Sequence, residues 1–389
     1  MTKVKNNELT HTGNSGTSNI VMASNGNVTV AGALAASGGF TGISSTCAGN
    51  YLINGDMQVA QKGTSITGAG TSGVSLNNDD VYTLDQWILL SDGNDIVDVT
   101  QNTEAPAPGA QFSLALDVET ANKKFGILQI LEARNCHRIV GDTVSLSFKM
   151  KASAVDKLDS VKAAIVSWDS TADSVTSDIV DAWGAEGTRP TLATNWTYEN
   201  ANDSGTTGNF TPTTSWATYT LKNVSVDTSS TTNVGVFIWS DVTDTTAGQF
   251  LYITDVQLET GSDTTDYLRK SYDEELHECR RYYQKIGEAN NQGVAQGWFK
   301  NSDTANFCLP FLNEMRVAPS LTTLIATDVK VLRSSEGTQN CDTSPNFYPG
   351  TTSARLRFDG LSDGDEGFGA QVVISGTNEG SCIRLTAEL

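Results

Sequence analysis

The chain has 389 residues and sets 45 Asp and Glu against 25 Lys and Arg, a formal net charge of −20. That balance argues against nonspecific binding to nucleic acid or to an anionic membrane, both of which require basic patches. Only 18% of residues are charged while 48 are Thr and 35 are Gly, and no apolar run reaches the roughly 18 residues of a membrane-spanning helix, so a mainly β chain rich in turns is expected.

Residues 9–55 contain no Asp, Glu, Lys or Arg. Within them two short β-type runs flank Asn25-Gly26, a strong hairpin signal, with Ile20 and Met22 alternating on one side and Val28 and Val30 on the other. A hairpin of this size buries too little to stand alone. It is expected to order by packing on copies of itself or on another subunit, the alternative being a flexible leader. The opening MTKVKNNELTHTGNSG lacks the apolar core of a secretory signal.

From Tyr51 to Leu268 apolar and polar residues alternate in successive runs: Phe112, Leu114, Leu116 and Val118; then Val144, Leu146, Phe148 and Met150; then Trp216–Val226, Asn233–Trp239 and Phe250–Leu258. Period-two alternation broken by Gly, Asp, Asn and Ser turns predicts a central antiparallel sandwich. Residues 167–212 are too irregular for one strand and read as a long loop excursion, where binding residues tend to sit. SYDEELHECRRYYQKI predicts one helix over Ser271–Ile286: Ser271 and Glu274 fit a capping box, and Leu276, Cys279, Tyr283 and Ile286 share a face. The remainder returns to β-type runs. The expected organisation is an N-terminal β-hairpin segment over 1–49, the sandwich over 50–268, a connecting helix region over 269–291 and a small C-terminal β domain over 292–389.

Motifs for chemistry are sparse. No phosphate-binding Gly-rich loop, HExxH or GxSxG occurs, and the three histidines, His11, His137 and His277, fit no nucleophilic relay. Six scattered cysteines make neither a disulfide scaffold nor a CxxC zinc site, so buried free thiols are expected, with a bridge among Cys308, Cys341 and Cys382 as the alternative. Acidic residues are concentrated in 159–266, but none stand out as the carboxylate pair of a glycosidase, and Asp in turns is ordinarily a turn former. No enzymatic activity is expected. Aromatic residues set among neutral polar ones suit sugars, whose C–H faces stack on flat rings. Trp168, Trp183 and Trp196 with Tyr198 in the excursion, and Tyr348 in the NFYPG tip, are the candidate ligand contacts; Trp216 and Trp239 fit core positions. LSDGDEGFGA, over 361–370, is a second candidate tip in the C-terminal domain.

LINGDMQVAQKG (52–63) with YTLDQW (82–87) resembles the opening of a jelly-roll domain of phage tail fibres. FLYITDVQLETG followed by DYLRKSYDEELHECRRYYQK is similar to that domain's last strand and exit helix, and CLPFLNEMRVAPSLT to a strand of the fibres' small C-terminal domain. SNGNVTVAGALAASGGF resembles repeat-like segments of trimeric virion fibres. The central part also resembles galactose-binding-type carbohydrate-binding modules through Asn54-Gly55-Asp56 and through Tyr252, Asp255, Val256 and Leu258. These resemblances imply a virion protein made in the host cytoplasm. Its N-terminal segment would join other phage proteins and a homotrimer, and it would adhere noncovalently to host surface polysaccharide. A purely structural capsid- or tail-decorating connector, and a glycan-cleaving spike, are the alternatives. The modules' structural calcium would here fall to Asp56 and Asp255, with Met57-Gln58 standing where the family often has a carboxylate, and Trp87 would anchor the core.

Overall fold

The computed structural model describes residues 8–9, 20–22, 28–30 and 49–389, except 69, 71–73, 201–207, 323–328, 334–336, 342–343, 362–363, 365 and 376–381. Two compact units result, Met1–Cys47 and Ala48–Leu389. In the first, Ile20–Met22 pairs antiparallel with Val28–Val30 in the register Ile20↔Val30, so the two runs flanking Asn25-Gly26 are partner strands; the turn itself lies outside the described residues. Glu8–Leu9 adds a third strand beside Ile20–Met22.

The second unit begins with a sandwich. Its six-stranded sheet runs Ala217–Ser225, Thr143–Ala152, Phe250–Thr260, Ser113–Val118, Val97–Asn102 and Ser65–Ile66. The facing sheet runs Trp196–Tyr198, Val161–Trp168, Asn233–Ser240, Phe125–Ile130, Ile88–Ser91 and Asp80–Tyr82, with Asn209–Phe210 also on Val161–Trp168. Because successive strand residues point to opposite faces, Val144, Leu146, Phe148 and Met150 meet Ile127, Ile165, Val236 and Ile238 in the core between the sheets.

The facing sheet is covered on its outer side as well. Leu128, Val166, Phe237 and Trp239 point away from the first core and pack under the excursion, which contributes Ile179, Trp183 and Trp196 to a second core. A buried charge triad pins this cover. Asp241 accepts Lys124 Nζ at 2.7 Å and Lys162 Nζ at 2.8 Å. Lys124 also donates to the carbonyls of Ala185 and Thr188, and Lys162 to that of Gly187.

The Asn-Gly-Asp segment locks the sandwich entry to its exit strand. Any Cβ on Gly55 would lie 2.2 Å from the Val256 carbonyl oxygen, so only glycine permits this approach. Trp87, fully buried, donates its indole N–H to the Asn54 carbonyl at 2.9 Å, and the Asn54 amide donates to the carbonyls of Val59 and Asp85.

The helix is shorter than its sequence pattern suggests. It spans Tyr272–Cys279, with Ser271 and Glu274 forming the capping box. Tyr283–Ile286, assigned from the sequence to the same helix, is instead a strand paired with Ile383–Thr386. Aromatic and β-branched residues favour the pleated surface once a partner strand exists, and that partner lies far away in sequence. Ser320–Thr322 completes this small sheet. A larger sheet follows, in the order Gly337–Asn340, Val329–Arg333, Gly369–Ile374, Gly293–Phe299, Ala305–Pro310, Ser353–Phe358 and Asn346–Pro349. One face of it carries Val331, Val372, Phe299, Phe307, Leu356 and Phe358 into a core of its own.

Polar ties join the parts of this unit. Glu275 accepts the Asn54 N–H at 2.7 Å, Arg281 grips Glu132, and Lys62 pairs with Glu388 while its ammonium sits between the rings of Tyr82 and Tyr283. Cys136, Cys279 and Cys308 carry free thiols; the first two are buried, as expected, whereas Cys308 is exposed.

Candidate binding face

The outer face of the large C-terminal sheet is built by strand register. Leu332, Gln371, Gln296, Cys308, Arg355 and Tyr348 are ladder partners in succession across six strands. At about 4.8 Å per strand spacing the row is roughly 24 Å long. A second row, two residues along, holds Gly369, Trp298, Asn306, Arg357 and Asn346. Both rows point away from the core that their neighbours fill, because side chains alternate faces with period two.

This face is rich in exposed rings. Trp298 is 54% exposed and Tyr348 45%, and Phe368, next to Gly369 at the strand edge, is 52% exposed. Gly297 sets the position of the tryptophan: a Cβ there would meet the Asn306 carbonyl oxygen at 1.8 Å, so glycine lets the two strands lie close and brings Trp298 beside Asn306. The Arg355 guanidinium lies 4.1 Å from the Tyr348 ring centroid, fixing that ring by cation–π attraction. Arg357 donates through Nε to Asp359 at 2.9 Å, and the Asn346 amide donates to the other oxygen of the same carboxylate at 3.1 Å.

An exposed indole flanked by amides and guanidinium groups can do two things at once. The flat ring takes up the apolar C–H face of a pyranose. Gln296, Gln371, Asn306 and Arg355 supply donors and acceptors for its hydroxyls.

Of the residues singled out in the sequence, Tyr348 stands on this face. The others do not. Trp168, Trp183 and Trp196 are 6%, 9% and 4% exposed and form the second core, with the Trp168 and Trp196 rings 5.4 Å apart. Their ring faces contact protein, because the excursion folds back over an otherwise bare apolar sheet. Tyr198 is partly buried beside them; its hydroxyl donates to the Pro190 carbonyl and its ring lies under Arg189. Trp239 is in the second core, as expected, but Trp216 is not: half-buried on the outer side of the six-stranded sheet, it donates to Glu104 and borders Tyr252. Trp298 was missed by the sequence reading, although the alternation in AQGWF already places it with Gln296, opposite Ala295 and Phe299.

Asp56 and Asp255 do come together, around a guanidinium. Arg269 Nη2 meets both oxygens of Asp255 at 2.8 and 2.9 Å, its Nη1 reaches Asp56 at 3.4 Å, and Lys149 approaches Asp255 at 2.9 Å. Burial pushes the Asp56 carboxyl above its ordinary range, opposed by the Gln58 amide and by Arg269. Calcium takes six to eight converging oxygens. These residues do not fit it: two side-chain cations already supply the positive charge, and no group of three or more metal-ligating side chains occurs among the described residues.

The sequence matches no known protein family and no curated protein. Among solved structures, the enzymatically active domain of bacteriophage CBA120 tailspike protein 4 is similar at 15% identity and TM-score 0.33, over 55% of this chain and 21% of that one. The C-terminal family 22 carbohydrate binding module of Clostridium thermocellum Xyn10B is similar at 14% identity and TM-score 0.31, over 47% and 91%. The tandem family 22 modules of Paenibacillus barcinonensis Xyn10C are similar at 10% identity and TM-score 0.27, over 77% and 93%. Likeness at this level assigns the chain to no family.

Proposed function

We propose that the protein binds a glycan noncovalently through the Trp298 face and serves as a phage virion fibre component in host attachment. The observation that carries this reading is the pair of exposed rings, Trp298 and Tyr348, set in two neighbouring rows of amides and arginines on one sheet face. The fibre-like sequence segments supply the setting: a homotrimer joined to other virion proteins through the N-terminal segment, where several weak sites on one assembly raise avidity by about 10²–10⁴. Binding proceeds without bond cleavage on this reading. Glycoside hydrolysis calls for two carboxylates flanking the bond, and Asp359, a carboxylate at this face, is held by Arg357 and Asn346.

The test is glycan-array screening of the full chain, followed by titration of the retained sugar against wild type and Trp298→Ala. A stacked tryptophan at the centre of a site is worth about 2 kcal/mol or more, so Trp298→Ala should weaken binding by at least about 30-fold. With the side chain half exposed, the unfolding free energy should fall by no more than about 3 kcal/mol, and the variant should still unfold cooperatively. Undiminished binding would sink this assignment of the site, and shortening of the polysaccharide would revive the cleaving alternative. A trimer that retains no sugar would favour the structural connector.

A further inference from the structure

A cavity of about 620 Å³ opens where the sandwich entry, the short helix Ala133–Cys136 and the helix Tyr272–Cys279 converge. Its volume falls within the roughly 300–1,000 Å³ of ligand pockets. In a chain of net charge −20 its wall is positive: Arg134, Arg138, Lys270 and Arg281 line it. Two of these are matched by acids. Arg281 holds Glu132 through Nε at 3.0 Å and Nη2 at 2.7 Å, and Lys270 holds Glu278 at 2.6 Å. Arg134 and Arg138 are exposed and make no ion pair or hydrogen bond among the described residues. Spaced four apart, they lie on one side of a helical turn whose other side is nailed down by buried Cys136 and Ile139.

Gathering like charges is unfavourable unless something neutralises them, and a concave wall of low dielectric focuses their field. Guanidinium forks match the geometry of carboxylate and phosphate oxygens. We propose that this cavity is a second ligand site, for the acidic residue of a charged saccharide. Arg134 and Arg138 clamp its anionic group, and the Asn135 amide and Tyr51 hydroxyl at the wall meet its hydroxyls. The anionic group is a carboxylate or a phosphate. The inference is independent of the Trp298 face, since it shares no residue with it.

Calorimetric titration of the full chain with a glucuronate disaccharide, its neutral glucose counterpart and inorganic phosphate tests this. At least one anion should bind at least about tenfold more tightly than the neutral sugar, and raising salt should weaken it. A carboxylate site favours the disaccharide, and a phosphate-selective site favours phosphate. Arg134→Gln with Arg138→Gln should lower the anion's affinity by about tenfold or more without shifting the melting temperature, because neither side chain supports the fold. Trp298→Ala should leave it unchanged. Equal binding of the neutral sugar, no binding of either anion, or full affinity in the double variant would each overturn the proposal.

Discussion

Replacing Asp241 with alanine removes the one carboxylate shared by two interior ammonium groups. The Lys124 and Lys162 side chains are 1% and 6% exposed, so neither can turn to water once Asp241 is gone. Breaking a buried ion pair from one side typically costs about 3–5 kcal/mol, a large share of a total stability near 5–15 kcal/mol. The loss also reaches the cover over the second core. Gly187 N–H loses its carboxylate acceptor, and the lysines that hold the carbonyls of Ala185, Gly187 and Thr188 lose their reason to stay in place. Urea unfolding by circular dichroism should therefore show at least about 3 kcal/mol of destabilisation. Acrylamide should quench tryptophan fluorescence more in the variant, because Trp183 lies beneath the loosened loop. Replacing all three charges with hydrocarbon of similar size (Lys124→Met, Lys162→Met, Asp241→Leu) should recover most of the loss, since the pair's desolvation cost disappears with it. A cost below about 1 kcal/mol for Asp241→Ala would refute the claim that this triad carries the cover.

Two further outcomes follow from buried charge elsewhere. Burial raises the Glu275 carboxyl from 4.5 to about 7, with Lys270 and the Asn54 N–H opposing. Between those values the folded state holds a proton that the unfolded state has released, so this group's contribution is full below about pH 4.5 and is lost as pH rises through 7. At about 1.4 kcal/mol per pH unit the span is at most ~3.5 kcal/mol. Glu275→Gln should lack that component, and parallel stability curves for the two proteins from pH 5 to 8 would contradict the assignment. At the Arg269 fork, a chelator or added calcium should leave the melting temperature unchanged, whereas Arg269→Ala should cost about 1–3 kcal/mol by leaving two buried carboxylates short of a partner. A calcium-dependent rise in melting temperature would overturn the fit argued for this place.

Much of the sandwich was readable because alternation is a direct print of one buried face. Val144, Leu146, Phe148 and Met150 are the plainest case, all with 0% exposure. The fate of the excursion tryptophans was not readable from their own irregular surroundings. It was written instead in the strands they cover: VKAAIVSW and NVGVFIWS are buried at every position, and an apolar run that does not alternate signals a sheet covered on both sides. The helix start was legible in its capping box, a local device. Its end was not, because Tyr283–Ile286 becomes a strand only through pairing with Ile383–Thr386. Trp298 and Tyr348 sit far apart in sequence and come onto one face only through the ladder between them, which no local pattern records.

The pairing of Tyr283–Ile286 with Ile383–Thr386 also dictates an order of events during synthesis. About a hundred residues must be made between the two strands, some 5–20 s at about 5–20 residues per second. Throughout that interval the sandwich can be finished while Tyr283 and Ile286, and the open edge beside them, wait uncovered on the nascent chain. An uncovered strand edge attracts any other strand within reach. On a polysome making many copies at once, that waiting edge is where neighbouring chains would first be tempted to pair wrongly, and a chaperone's most useful point of contact.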